Sequence, residues 1–193
     1  ASRYGKSTGL GALTAIERQP DGQLLAAAEP VRRGGGDAGV VWPRSSYEVL
    51  RHALWNVNDE HGVTIQKVSG SPFASVAHDF NTVILTEDGE FVFFGPYMQY
   101  MSGVTDTQVK WTLENRSDNP GIADGDMFLA NDPWVGAAHQ MDVMLLCPVF
   151  WKGELFCWVT NCLHQYDIGG ITPGSFCPSA RDAFDEGILI PPV

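Results

Sequence analysis

The chain has 193 residues, of which 44% are hydrophobic, and a formal net charge of −11. This length allows one sizeable core and at most two domains. So acidic a chain repels phosphate backbones and anionic membrane surfaces, which argues against nucleic acid and membranes as partners. The sequence shows no signal peptide and no apolar run of membrane-spanning length, and we expect a cytoplasmic protein.

The composition indicates many short elements rather than long helices, because the chain carries 21 glycines and 12 prolines. The expected fold class is α+β, built mostly of antiparallel β hairpins with a few helices, as part of a larger multidomain subunit. Its four cysteines form no C-x-x-C pair, and those at 147, 157 and 162 lie in or beside apolar predicted strands. We therefore expect free, buried thiols.

Residues 1–40 are poorly patterned and are predicted to form an N-terminal arm and linker, with a short strand pair within 10–25 around the turn Asp21-Gly22. Residues 41–193 are predicted to form one α+β domain. It begins with a helix over 45–61, because apolar residues recur there at helical spacing. Ser45 or Ser46 is the predicted N-cap and Gly62 the predicted end, with β structure from Val63 onward.

Further elements follow in chain order. Strands at 81–86 and 90–94 flank a turn that contains Asp88-Gly89, and their near-continuous apolar runs predict strands covered on both faces. A second helix is predicted at 105–115, with Val109 and Leu113 on one face. A short buried strand is predicted at 127–130.

A hairpin near the C-terminal end carries the main candidate site. Strands at 143–150 and 155–161 are joined by a four-residue connection. If Phe150 pairs with Leu155, Asp142 lies opposite Leu163 and His139 lies opposite Tyr166. The open end of the hairpin then brings together two H-x-x-D clusters, whose members are His139, Asp142, His164 and Asp167.

These side chains predict a divalent metal site. Two imidazoles with one or two carboxylates suit Zn²⁺, Mn²⁺ or Fe²⁺ better than Ca²⁺ or Mg²⁺, which prefer oxygen ligands. The best three-ligand set is His139, Asp142 and His164, which leaves positions open for substrate or water. Asp167 is a candidate fourth ligand or an acceptor for a ligand N–H. The alternative is that the aspartates are turn residues and the histidines ordinary polar groups.

Other residues have weaker claims to a role in the site. His78-Asp79 is a weak ligand candidate, because neighbours in a strand point to opposite faces. Asp126 and Asp132 fit loop roles first. The aromatic residues of this region are expected to belong to the core rather than to stack on a cofactor; they are Trp134, Phe150, Trp151, Trp158 and Tyr166. Nothing in the sequence indicates a nucleotide site.

Several motifs resemble the hydantoinase B/oxoprolinase family. They are the run from Gly125 to Gly136 followed by His139-Gln140-Met141-Asp142, the run from His164 to Gly170, Pro173-Gly174-Ser175 and the run from Glu186 to Pro192. Further runs are similar to the large metal-bearing subunit of acetone carboxylase and to related ketone carboxylases: 60–62, 68–72, 79–81 and 110–116. The His-Gln-x-Asp form of both clusters points the same way, because hydantoinase relatives commonly have a second histidine where Gln165 stands.

The resemblance implies a subunit of an ATP-dependent ketone carboxylase, a ligase that forms a C–C bond. A hydantoinase A-type partner would use ATP to phosphorylate ketone and bicarbonate, with a small subunit as a further candidate partner in a hetero-oligomer. Carried over, His139, Asp142 and His164 would hold Mn²⁺, which would polarise an enol or enolate for reaction with CO₂. Two alternatives remain: an N-methylhydantoinase or 5-oxoprolinase type of cyclic amide hydrolase, and a non-catalytic structural subunit.

Overall fold

A computed structural model of the protein describes residues 14–18, 23–28 and 40–193. The rest of the predicted N-terminal arm and linker lies outside the described residues. The chain divides into two compact units, 1–54 and 55–193. In the first unit, β1 (Thr14–Arg18), β2 (Gln23–Ala28) and β3 (Val40–Pro43) form an antiparallel sheet in the order β1-β2-β3. The β1–β2 pair confirms the predicted strand pair, although the turn itself is not among the described residues.

The first helix is longer than predicted. Helix α1 runs from Arg44 to Val68, so neither predicted serine caps it and the β structure expected from Val63 is wrong up to Val68. Gly62 lies inside the helix and does not end it. A Cβ atom at Gly62 would lie 2.4 Å from Cε2 of Tyr97 and 2.6 Å from its hydroxyl oxygen. The glycine therefore makes room for a tyrosine that packs against the helix.

The second unit is built on a five-stranded sheet in the order β5-β4-β8-β7-β6, with every neighbouring pair antiparallel. Its strands are β4 (Phe80–Thr86), β5 (Phe91–Phe94), β6 (Phe128–Ala130), β7 (Asp142–Trp151) and β8 (Glu154–His164). The antiparallel sheet and the few helices confirm the predicted fold class. Each strand predicted in this unit is present, with ends shifted by a few residues.

The two strands expected to be covered on both faces differ in burial. Strand β4 lies between β5 and β8 and is buried over six of its seven residues. Strand β5 is at the edge of the sheet, and its residues Phe91, Val92 and Phe94 are exposed. The prediction is therefore right for β4 and wrong for β5, because an apolar run does not reveal whether other elements cover both faces of the strand.

Helix α4 (Thr105–Arg116) confirms the predicted second helix and covers the core face of the sheet. Val109 is fully buried and Leu113 packs against the same cluster, which includes Leu85, Met144 and Trp158. Two short helices precede it: α2 (Pro72–Ser75) and α3 (Gln99–Ser102). A 3₁₀ turn follows at Pro133–Val135. All four cysteines are free; Cys162 is buried, and the other three are half-buried.

The expectation that the aromatic residues belong to the core holds for one of the five. Trp158 is fully buried, and its indole N–H donates to the Glu87 carbonyl at 3.2 Å. Trp134, Trp151 and Tyr166 are exposed by 91%, 65% and 61%, so the core assignment is wrong for them. Trp134 lies in the 3₁₀ turn, Trp151 at the turn end of the hairpin and Tyr166 in the loop after β8, while Phe150 is half-buried.

The β7–β8 hairpin is present, but its connection has two residues instead of the predicted four, and its register differs from the predicted one. Lys152 and Gly153 form a tight turn with φ values of 54° and 86°, which is typical of a two-residue hairpin loop. Phe150 pairs with Leu155 as predicted, but Val149 pairs with Cys157, so Phe156 is an extra residue in a β-bulge. The bulge moves the rest of β8 by one residue. Asp142 consequently lies opposite His164, not Leu163.

Candidate metal centre

Three of the four predicted ligands meet at the open end of the β7–β8 hairpin. Oδ1 of Asp142 lies 3.1 Å from Nε2 of His139 and 3.1 Å from Nδ1 of His164. One ligand atom from each of the three residues lies within 4.8 Å of the others. The imidazole rings are 5.0 Å apart between centroids. The structure therefore places two imidazoles around a single carboxylate oxygen.

The sheet fixes two of these residues directly. Asp142 is the first residue of β7 and His164 is the last residue of β8, and they are opposite partners in the ladder. Opposed residues of an antiparallel pair point to the same face, and here it is the face that also carries Met144 and Cys162 into the core. His139 belongs to the turn before β7, where its carbonyl accepts from the Asp142 amide at 3.1 Å.

Neighbouring backbone and rings hold His164 in place. Its amide donates to the Asp79 carbonyl at 3.1 Å, and the next amide, of Gln165, donates to the Met141 carbonyl at 2.8 Å. The ring of Phe73, on α2, packs against the imidazole with centroids 4.6 Å apart. The imidazole is therefore constrained both along the strand and across the ring face.

Burial is uneven across the site. Asp142 is fully buried and His164 is 3% exposed, whereas the His139 side chain is 34% exposed. The hydrogen bond to Asp142 raises the pKa of His139, against the opposing effect of its own burial. A buried carboxylate is stable only when it is paired or coordinated, since desolvation of the charge is costly. His139 forms the side of the site that solvent or a ligand can reach.

The donor set fits a divalent transition metal. Two ligand atoms bound about 2.1 Å from one ion, at about a right angle, lie about 3 Å apart, close to the spacing found between Asp142 and each histidine. The nitrogen of His164 that faces Asp142 is Nδ1. The other ring nitrogen, Nε2, is buried and has no hydrogen-bond partner among the described residues.

Asp167 lies outside this group of three. Its two carboxylate oxygens accept the backbone N–H groups of Gly169 at 2.7 Å and Gly174 at 3.0 Å. These bonds, first that of Gly174 and then that of Gly169, lower the pKa of Asp167. Asp167 thus organises the loop that follows β8, which is the turn role considered for it from the sequence.

The weaker candidates also have structural partners. Asp132 accepts the Trp134 amide at the start of the 3₁₀ turn, and Asp126 accepts the Ala123 amide, so both have the predicted loop roles. Lys110 pairs with Glu90 and Asp106, and Nε of Arg116 donates to the Pro192 carbonyl. The run over 110–116 is therefore structural in this unit and does not contribute a ligand to the site.

Sequence reasoning missed Tyr100 and undervalued Asp79. The Tyr100 hydroxyl donates to Oδ2 of Asp142 at 3.2 Å. Burial, and then the charges of Asp142 and Asp79, raise the pKa of Tyr100, so its hydroxyl is protonated and can donate. Asp79 is half-buried, and its Oδ1 has no hydrogen-bond partner among the described residues. Forty-two positions separate Tyr100 from Asp142, and no spacing rule links them.

The glutamines of the two His-Gln-x-Asp clusters donate hydrogen bonds to backbone carbonyls. Nε2 of Gln140, which is buried, donates to the Ala183 carbonyl at 3.0 Å. Asn131 donates to the carbonyls of Gln140 and Ile188 and accepts the Ile190 amide. These bonds attach the segment 183–190 to the turn that carries His139. Gln165 donates to the Leu163 carbonyl, within its own strand end.

The chain is similar in sequence to several known proteins of one family. Residues 44–193 match the family described as Hydantoinase B/oxoprolinase. Similar proteins include the acetophenone carboxylase delta subunit of Aromatoleum aromaticum, 36% identical over 61% of this chain and 17% of its own length. Caprolactamase subunit beta of Pseudomonas jessenii is 33% identical, over 75% of this chain and 25% of its own. 5-Oxoprolinase 1 of Arabidopsis thaliana is 30% identical, over 74% and 11%.

Two solved structures share the fold. The nucleotide-free structure of acetone carboxylase, an enzyme of ATP-dependent acetone carboxylation, has a TM-score of 0.70 and 27% identity over 78% of this chain and 20% of its own. The ATP-dependent caprolactamase of Pseudomonas jessenii also has a TM-score of 0.70, with 32% identity over 77% and 25%. The chain thus spans about a quarter or less of the length of each of these proteins.

Proposed function

The chain belongs to the hydantoinase B/oxoprolinase family, and from that premise we propose that it is part of an ATP-dependent ketone carboxylase in which it binds a divalent metal ion. The observation that carries the proposal is the convergence of two imidazoles on one buried carboxylate oxygen at the end of the hairpin. His139, Asp142 and His164 would hold the ion, with Mn²⁺ as the first candidate and Zn²⁺ or Fe²⁺ as alternatives.

The residues of this chain would contribute position and charge. Asp142 supplies a buried negative charge whose orientation the sheet fixes, and His164 is held by the Asp79 carbonyl and the Phe73 ring. His139 is the accessible member, so a substrate would approach from its side. A bound divalent ion would supply Lewis-acid stabilisation of an enolate oxygen during C–C bond formation with CO₂ or bicarbonate.

Similarity to ketone carboxylases supports this choice of reaction. The acetophenone carboxylase subunit is 36% identical, and the acetone carboxylase fold is shared at a TM-score of 0.70. Cyclic amide hydrolysis is the second candidate, because caprolactamase has the same TM-score and 5-oxoprolinase 1 matches over a similar span. The same metal site would serve a hydrolase, by polarising an amide oxygen instead of an enolate.

The proposal includes an assembly. Several relatives are named as subunits, which supports a hetero-oligomeric enzyme. We expect a hydantoinase A-type partner that uses ATP, and a small subunit as a further component.

No helix in the described part of the chain is both long and apolar enough to cross a membrane.

The test uses the full-length protein purified with its partners. Elemental analysis and an anomalous-scattering map should show one divalent metal at His139 and His164. The assembly is then assayed with ketone, bicarbonate and ATP, and in parallel with a cyclic amide and ATP. His139→Ala and His164→Ala should each lose the metal and the activity, while the control His52→Gln, on α1, should keep both. Unchanged metal content and turnover in both alanine variants would overturn the proposed site, and absence of metal from the purified assembly would favour a structural subunit.

A further inference from the structure

The two oxygens of the Asp142 carboxylate have different partners. Oδ1 faces both imidazoles at 3.1 Å. Oδ2 accepts the Tyr100 hydroxyl at 3.2 Å. Without the tyrosine, rotation about the Cβ–Cγ bond of Asp142 could exchange the two oxygens or turn both of them toward a cation. The phenol hydrogen bond distinguishes the oxygens and assigns Oδ1 to the space between the histidines.

The fold holds Tyr100 where its hydroxyl can bond Oδ2 of Asp142. It lies on α3, and that short helix is fastened to β4 by the buried side chain of Asn81. Nδ2 of Asn81 donates to the Ser102 hydroxyl at 2.6 Å and to the Met98 carbonyl at 3.1 Å. The Met98 amide donates to the Phe80 carbonyl at 2.9 Å.

Strand β4 pairs directly with β8, and Phe80 lies opposite Leu163, the residue before His164. The hydroxyl and the metal-binding face are therefore positioned by neighbouring strands of one sheet. Tyr100 is 45% exposed as a whole, yet its hydroxyl reaches a carboxylate that is fully buried. An exposed tyrosine whose hydroxyl donates a hydrogen bond to a buried carboxylate has a role beyond packing.

We infer that Tyr100 is a positioning residue of the metal centre, which holds Asp142 through Oδ2 so that Oδ1 alone is presented to the cation. The inference rests on the proposed function, because it assumes that the three-residue site binds a divalent ion. Groups that orient a ligand from outside the coordination sphere typically contribute about 10- to 100-fold to metal affinity. Tyr100→Phe removes the hydroxyl and leaves the ring, so it isolates this contribution.

The experiment is a titration of the full-length, metal-stripped assembly with Mn²⁺, in which free Mn²⁺ is followed by electron paramagnetic resonance. The variants are Tyr100→Phe, the matched control Tyr97→Phe and the ligand variant His139→Ala. Tyr97 lies three residues earlier and its ring stacks on Phe80 with centroids 4.3 Å apart, whereas the bond to Asp142 comes from Tyr100. Thermal unfolding of each metal-free protein reports the fold separately.

We expect Tyr100→Phe to raise the dissociation constant for Mn²⁺ at least about tenfold and Tyr97→Phe to bind like wild type. The metal-free Tyr100→Phe protein should still unfold in one cooperative step, at a modestly lower Tm, because Oδ2 of Asp142 loses a donor. Wild-type affinity in Tyr100→Phe, with binding lost in His139→Ala, would overturn the positioning role and leave the proposed function intact. A weaker affinity in a metal-free Tyr100→Phe protein that has lost its cooperative unfolding transition would make Tyr100 a structural residue and also overturn the positioning role. Absence of Mn²⁺ binding in the wild type would overturn the metal site itself, and this inference with it.

Discussion

Asp142 and His164 lie directly opposite each other in the β7–β8 ladder, and a single extra residue in β8, Phe156, is what aligns them. The tight turn at Lys152-Gly153 alone would set Leu163 opposite Asp142. His164 would then point to the other face of the sheet, because side chains alternate along a strand. The bulge therefore decides whether the imidazole and the carboxylate share a face.

This assignment predicts opposite outcomes for two single-residue deletions in β8. Deletion of Phe156 should remove the bulge and leave every pair from Val149–Cys157 to Asp142–His164 unchanged, so metal binding should persist. Deletion of Val159 should move Trp158 into the place of Val159 and so turn the indole out of the core. Loss of a buried tryptophan costs about 3–5 kcal/mol. Chemical denaturation and metal content of both proteins check the prediction; equal damage from the two deletions would contradict it.

Gly62 gives a second prediction, in which two effects oppose each other. Alanine in a helix interior is about 1 kcal/mol better than glycine. Here, however, the new Cβ would lie 2.4 Å from the Tyr97 ring, and that ring is stacked on Phe80. Overpacking of this kind costs about 1–3 kcal/mol, so Gly62→Ala should lower the free energy of unfolding by up to about 2 kcal/mol net.

Matched controls separate these two effects. Gly70→Ala should be nearly neutral, because nothing lies within 4 Å of a Cβ there. The double variant Gly62→Ala with Tyr97→Leu should recover part of the loss, since it removes the ring atoms that the Cβ meets. A Gly62→Ala protein as stable as wild type in urea would show that Tyr97 has room to move.

His61 predicts a pH dependence of stability. Burial lowers the pKa of His61, whose Nε2 lies 3.2 Å from Nδ2 of Asn161. Below the unfolded-state pKa of about 6.5, the unfolded chain binds this proton and the folded chain resists it. Stability from this group is therefore lost as the pH falls below about 6.5, with a slope of at most about 1.4 kcal/mol per pH unit.

The difference between wild type and His61→Gln isolates this effect. The pKa of His139 is raised instead, so His139 contributes in the opposite direction: its stabilisation is present at low pH and is lost as the pH rises. Urea unfolding at several pH values should show wild type losing stability relative to His61→Gln on acidification. Parallel curves for the two proteins would mean that His61 is not desolvated.

Substitution of Asp167 tests whether this residue of the second H-x-x-D cluster is a metal ligand or a turn residue. Asp167→Ala should leave the affinity for Mn²⁺ unchanged, because its oxygens bond Gly169 and Gly174. It should instead speed amide hydrogen exchange at these two glycines. Asp142→Ala in the same titration should abolish binding. A marked loss of affinity in Asp167→Ala would restore it as a fourth ligand.

The sequence predicted the strand order of the hairpin and the meeting of its two ends, but not the face on which each side chain lies. A turn sets the strand register only as far as the first bulge. The bulge at Phe156 contains no glycine, so the sequence gives no sign of it. Tyr100 was out of reach because its bond to Asp142 depends on how α3 is fastened to β4. The prediction of Gly62 as a helix end is wrong because its partner, Tyr97, lies in the connection between β5 and α3, which the local sequence does not reveal.

Gln140 stands next to His139 in the chain, and its side-chain amide is bonded to the Ala183 carbonyl. The same short turn thus carries a proposed metal ligand and the anchor of the 183–190 segment. The accessible edge of the site therefore depends on residues more than forty positions further along the chain, and a substitution that frees the 183–190 segment should also loosen the backbone beside His139.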